Sequence, residues 1–99
     1  MAAGWRQAIS TTLREVRLHL CQSSPASKGA REFVEKHYVG LKQQNPTFPF
    51  LIRECSGVTP KLYVRYAEIP IEKSASLDNL TSDEILQRLQ KLVETPSEA

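Results

Sequence analysis

Glu15-Val16-Arg17-Leu18-His19-Leu20-Cys21-Gln22-Ser23-Ser24-Pro25 is the stretch on which the reading of this chain turns. Val16, Leu18 and Leu20 alternate with Arg17, His19 and Cys21, the period of two expected of a β-strand with one buried face. Ser24-Pro25 then reads as a helix start, with a hydroxyl for the N-cap and proline at the first helical position. Cys21 falls between the two. At such a junction the first helical N–H groups and the helix dipole favour thiolate over thiol.

Working outward, Ala30, Phe33, Val34, His37, Tyr38 and Leu41 recur at spacings of three and four and form the apolar stripe of a helix. Gly29 and Gly40 weaken its propensity without erasing the pattern, and Asn45-Pro46 should end it. A second strand is expected over 48–55, with Pro49 at its start. Its consecutive apolar Phe50, Leu51 and Ile52 suit a strand covered on both faces. Strand, helix and strand make a βαβ unit with parallel strands. Lys61 to Tyr66 alternates again as a third strand. Glu68 to Glu72 is expected as a fourth, antiparallel to it and, with Pro70 inside it, at a sheet edge. Thr81-Ser82-Asp83-Glu84 is a capping box opening a last helix whose core stripe is Ile85, Leu86, Leu89, Leu92 and Val93. The order β-α-β-β-β-α implies an α/β fold with a four-stranded mixed sheet, the minimal thioredoxin-like arrangement; another split α+β topology is the rival. One domain is expected over 13–94, with a flexible segment over 1–12 and a tail over 95–99.

Composition sets the outer limits. In 99 residues, 40% hydrophobic and 24% charged, there is room for one soluble core. Thirteen basic against eleven acidic residues leave a net charge of +2, too small to argue for nucleic acid. No apolar run is long enough to span a membrane. Arg6, the small and hydroxyl residues around it, and the lack of any acid before Glu15 fit a short mitochondrial targeting tract and a frayed terminus equally well.

Few residues are placed for chemistry. Cys21-Gln22-Ser23-Ser24 is a Cys-x-x-Ser sequence where Cys-x-x-Cys would signal a dithiol redox centre. Without the second thiol, that cycle cannot run within the motif. Val58-Thr59-Pro60 stands just before the third strand, where thioredoxin-like proteins hold a cis-proline, so a cis Thr59–Pro60 bond is expected. Cys55 closes the second strand as Cys21 closes the first, and neighbouring parallel strands lie ~4.8 Å apart. A disulfide and two free thiols are then equally open. His19 and His37 lie on different elements and set no metal site. The aromatic set Phe33, Tyr38, Phe48, Phe50, Tyr63 and Tyr66 reads as core and strand-face packing. Arg14, Arg17, Arg53, Lys61 and Arg65 sit on strands or their ends, as a basic sheet surface for a partner or simply as solvated positions.

Three ordered blocks carry a resemblance: Arg14 to Gln22, Leu51 to Cys55, and Pro60 to Ala67. Together they resemble the small thioredoxin-like accessory subunits of the matrix arm of mitochondrial complex I, the proton-pumping NADH:ubiquinone oxidoreductase. The resemblance covers about Leu13 to Val93. It implies a non-catalytic subunit, peripheral on the matrix side of the mitochondrial inner membrane, that supports assembly or stability. It further implies docking beside the largest iron–sulfur subunit and no flavin, quinone, cluster or other cofactor held by the chain itself. Cys21 and Cys55 fall on the family's two cysteines, which can pair as a disulfide. A related domain occurs in mitochondrial ribosomal proteins, which gives one alternative. A monothiol glutaredoxin-like thiol oxidoreductase using Cys21 is the other.

Overall fold

The computed structural model describes residues 4–94. Four strands, β1 (Leu13–Leu20), β2 (Phe50–Glu54), β3 (Lys61–Tyr66) and β4 (Glu72–Ser76), form one mixed sheet of order β2-β1-β3-β4. β1 and β2 run parallel, with Leu18 beside Ile52 and Leu20 beside Glu54, as a βαβ unit requires. β3 is antiparallel to β1 and β4 is antiparallel to β3. The alternation read from the opening stretch is the one observed: Val16, Leu18 and Leu20 are buried while Arg17 and His19 face away from them.

Between β1 and β2 the chain makes a single 3₁₀ turn (Pro25–Ser27) and then α2 (Lys28–Phe33). α2 continues through a π-helical segment (Val34–Tyr38) into α3 (Val39–Gln44). The π turn shifts the phase of the apolar stripe, so Ala30, Phe33 and Leu41 are buried but nothing between Val34 and Tyr38 is. The helix ends before Pro46, as expected. α4 (Ser82–Glu94) opens on the capping box: the Glu84 amide donates to Thr81 Oγ1 at 3.2 Å and the Thr81 amide to Glu84 Oε1 at 2.9 Å.

Residues 4–12, within the segment expected to be flexible, are ordered. Gly4–Thr12 is a helix, α1, with Trp5 and Ile9 buried against the core. Apolar residues four apart on an otherwise polar segment are a thin periodic signal, and it is tertiary packing that makes the helix stable. Residues 1–3, and the tail expected over 95–99, lie outside the described residues. All the helices pack with one another on one face of the sheet, over Ile9, Leu18, Leu20, Leu62, Leu77, Ile85 and Leu89. Each such side chain contributes ~1.5–3 kcal/mol on leaving water.

Among the described residues, no helix lies on the opposite face of the sheet. Leu51 lies there beside Arg17, half-buried, so only Phe50 and Ile52 of the apolar trio face the core. The trio marked one buried face and one apolar residue on an open one, not a strand covered on both sides. The fourth strand is also displaced from its expected place. Glu68 to Ile71 forms the bend, with the Tyr66 amide donating to the Ile71 carbonyl at 3.3 Å, and pairing begins only at Glu72. It is an antiparallel edge strand nonetheless.

Candidate functional site

The ends of β1 and β2 bring the two cysteines to one edge of the sheet. The Cys55 amide donates to the Leu20 carbonyl at 3.0 Å, which continues the parallel ladder to the residues just past its last register pair. Cys21 is 2% exposed, and Cys55 is exposed. Both thiols are free, so the pairing implied by the resemblance is not formed in this structure.

The loop after β1 is clamped around Cys21 by residues that no motif singled out. The Cys21 amide donates to Ser27 Oγ at 3.0 Å, and Ser27 is fully buried. Arg31, one turn further on, donates to the carbonyls of Cys21 at 3.0 Å and Ser24 at 2.9 Å. These two side chains satisfy backbone groups that the turn leaves unpaired. From the turn after β2, the Gly57 amide donates to Cys21 Sγ at 3.4 Å. Gly57 has φ +78° at the third position of a turn that the Val58 amide closes onto the Cys55 carbonyl at 3.3 Å, a conformation that suits glycine.

These contacts decide the state of the thiol. The backbone N–H groups of Ser23, Gly57 and Ser24, in that order, and last the Ser23 hydroxyl lower the Cys21 pKa to about 6, against the opposing effect of burial. A lowered thiol pKa is what the strand-to-helix position predicts, but the donors are loop amides. α2 itself begins only at Lys28, behind the 3₁₀ turn, and Ser24 makes no side-chain cap. The sign of the pH dependence follows. A folded-state pKa below the unfolded value adds stability that is complete above the ordinary cysteine pKa and is lost as pH falls through about 6. Cys21→Ser should therefore cost more stability at pH 9 than at pH 6, read as a widening gap in urea midpoints between variant and parent.

The expected cis bond is absent. Among the described residues no peptide bond is cis, so Thr59–Pro60 is trans. The chain has already reversed at Gly57 and needs no second bend before β3. Trans is the lower-energy isomer, and nothing in this turn opposes it. Pro60 is buried, and its carbonyl accepts from the Leu77 amide at 3.0 Å.

The other singled-out residues divide into two groups. Phe33, Phe48 and Tyr66 are buried, and Phe48 and Phe50 meet edge to face at 5.0 Å, as packing residues should. His19 lies on the open face against Tyr63 with ring centroids 4.9 Å apart. Burial first, then the charges of Arg17 and Arg53, lower its pKa and disfavour the imidazolium form. His37 meets Asp83 at 3.3 Å, far from His19. Among the described residues no three His, Cys, Asp or Glu side chains gather as a metal-ligand set.

Residues 30–82, more than half of the chain, match the mitochondrial ribosomal protein L51 / S25 / CI-B8 domain. That span includes Cys55 and the whole of β2, β3 and β4, but not β1 and Cys21. Relatives extend the match to nearly the full length. NADH dehydrogenase (ubiquinone) 1 alpha subcomplex subunit 2 of Arabidopsis thaliana is 50% identical over 91 residues, 92% of this chain and 93% of its own. The protein of the same name in Mus musculus is 52% identical over 82% of this chain and 81% of its own. The chain belongs to the alpha subcomplex subunit 2 family. The NADH-ubiquinone oxidoreductase 10.5 kDa subunit of Neurospora crassa, 39% identical over 93% of this chain and 97% of its own, falls in line with it. The alignments of this family thus reach beyond the domain match to the first strand and its cysteine.

Proposed function

We propose that this protein is a non-catalytic accessory subunit of mitochondrial respiratory complex I that supports assembly or stability of the matrix arm. The observation that carries the reading is the subunit name shared by relatives 50% and 52% identical along most of both chains. The site agrees with it. Cys21 has its pKa lowered, but it is 2% exposed, so little of the thiol is open to an incoming disulfide. The strand order β2-β1-β3-β4, with a parallel first pair and antiparallel remainder, supports the thioredoxin-like assignment, as a scaffold without the enzyme.

On this reading the chain is peripheral on the matrix side of the inner membrane, next to the largest iron–sulfur subunit. No helix among the described residues is long and apolar enough to cross a membrane. The Cys21–Cys55 disulfide belongs to the same reading. It is supported by the placement of both residues one step past a register pair of parallel strands. Native electrophoresis of solubilised mitochondria tests the function: the tagged chain should co-migrate with NADH:ubiquinone oxidoreductase activity. Recovery only as a free monomer would sink the proposal.

A further inference from the structure

The uncovered face of the sheet is a grid set by strand register. Arg53, His19 and Lys61 lie side by side across β2, β1 and β3. Leu51, Arg17 and Tyr63 form the next row, and Glu15, Arg65 and Glu72 the row after that. Like charges on facing strand positions are unfavourable, and with Arg53 and Lys61 flanking His19 this row is positive in character.

Not all the arginines here are engaged. Arg17 lies over the Tyr63 ring at 5.1 Å and pairs with Glu15 at 3.3 Å and with Glu72. That arrangement takes up both glutamates of the grid. Arg53 and Arg65 are exposed, and among the described residues neither guanidinium has a hydrogen bond or an ion pair. The irregularity between Leu13 and Glu15 places Arg14 at the same end, where its guanidinium donates to the Ala67 carbonyl at 3.4 Å. A cleft of about 770 Å³ lies over this region, with all four arginines and Leu51 lining it and the Glu68 to Ile71 bend, with its flanking residues, as its wall. Glu68 stands exposed on that bend, and Ile71, 46% exposed, is one of its apolar residues.

We propose that this face is the docking surface for an acidic, apolar-studded segment of a partner protein, whose carboxylates pair with Arg14, Arg53 and Arg65 and whose apolar side chains cover Leu51 and Ile71. Arginine forks match carboxylates bidentately, and an arginine-rich patch around apolar residues has the composition of an interface. The glutamates at one end and the apolar residues in the middle favour a peptide over a phosphate backbone, which would meet Glu15, Glu68 and Glu72. Taking that partner to be a neighbouring complex I subunit rests on the function proposed above; the surface itself does not.

The test uses the full chain with Arg53→Gln and Arg65→Gln together, set against Lys36→Gln and Arg88→Gln on the exposed helical side. The probe is a labelled ten-residue peptide of glutamates with leucine at every third position, followed by fluorescence anisotropy. The parent should bind it, more weakly as salt rises, and the sheet-face variant should lose at least about tenfold in affinity while the helical-side variant loses none. Thermal melts of all three proteins should coincide. No binding by the parent, equal binding by the sheet-face variant, or tighter binding of a ten-nucleotide RNA would each overturn the proposal. In mitochondria, the sheet-face variant should co-migrate with the oxidoreductase several-fold less than the helical-side variant, and equal co-migration overturns the docking role. If even the parent fails to co-migrate, the proposed function fails, while the peptide measurements still decide the surface.

Discussion

Gly29→Ala is expected to destabilise the protein by ~3 kcal/mol, lowering Tm by roughly 12–24 °C in a domain of this size. In an ordinary helix the same change helps, because alanine has the higher propensity. Here a Cβ on Gly29 would overlap the carbonyl oxygen of Leu80 and come within 2.8 Å of its carbon. The obstacle is backbone, and it is tied in place. The Asn79 amide donates to the Ala26 carbonyl at 3.1 Å, the Leu80 amide to the Leu77 carbonyl at 3.1 Å, and Leu77 is fully buried. Relief therefore requires α2 and the start of α4 to move apart, which opens the core between them. Gly40 supplies the internal control. A Cβ there meets nothing within 4 Å, so Gly40→Ala should stabilise by ~0.5–1 kcal/mol. Urea denaturation of the two variants should give shifts of opposite sign, and a neutral Gly29→Ala would show that the helices can separate at little cost.

The opposite surroundings of these two glycines lie beyond what the sequence pattern carries. Both look alike in the sequence, as mild blemishes in a helical stripe, because the feature that separates them is a backbone 51 residues away. Patterns that depend on local chemistry were legible: the alternation of β1 and β3, the helix stop at Asn45-Pro46, and the Thr81/Glu84 cap. β4 was not, since Ile69 to Ile71 has the more strand-like composition, yet the free edge of β3 pairs with the polar Glu72–Ser76. Strand propensity there gives way to register and edge availability. The site shows the same division. Cys21 and Cys55 could be placed at one sheet edge from spacing alone, and the lowered thiol pKa from the strand-to-helix position. The clamps were invisible, because Ser27 and Arg31 belong to no motif and act through backbone atoms whose positions depend on the finished loop.

Asn45→Ala is expected to cost ~2–3 kcal/mol, through the partners it would leave buried and unpaired. Asn45 is 2% exposed and joins two elements. Its Nδ2 donates to the Arg6 carbonyl at 2.9 Å and to the Leu41 carbonyl at 3.0 Å, and its Oδ1 accepts from the Ser10 hydroxyl. The amide thus holds α1 against the end of α3, where Trp5 and Ile9 enter the core. A cavity alone would make Asn45→Asp harmless, since the two side chains have nearly the same shape. Hydrogen bonding predicts otherwise, because carbonyl oxygens only accept and the aspartate would turn a carboxylate oxygen toward two of them. That environment disfavours the charged form and raises the carboxyl pKa. Stability of Asn45→Asp should therefore fall as pH rises above the unfolded value of ~3.9, with the largest deficit near neutral pH. A cycle with Ser10→Ala would isolate the hydroxyl bond, with a coupling of ~1 kcal/mol expected for contacting partners. Equal stability of Asn45→Asp and the parent at pH 7 would mean that the two Nδ2 bonds add nothing to holding α1.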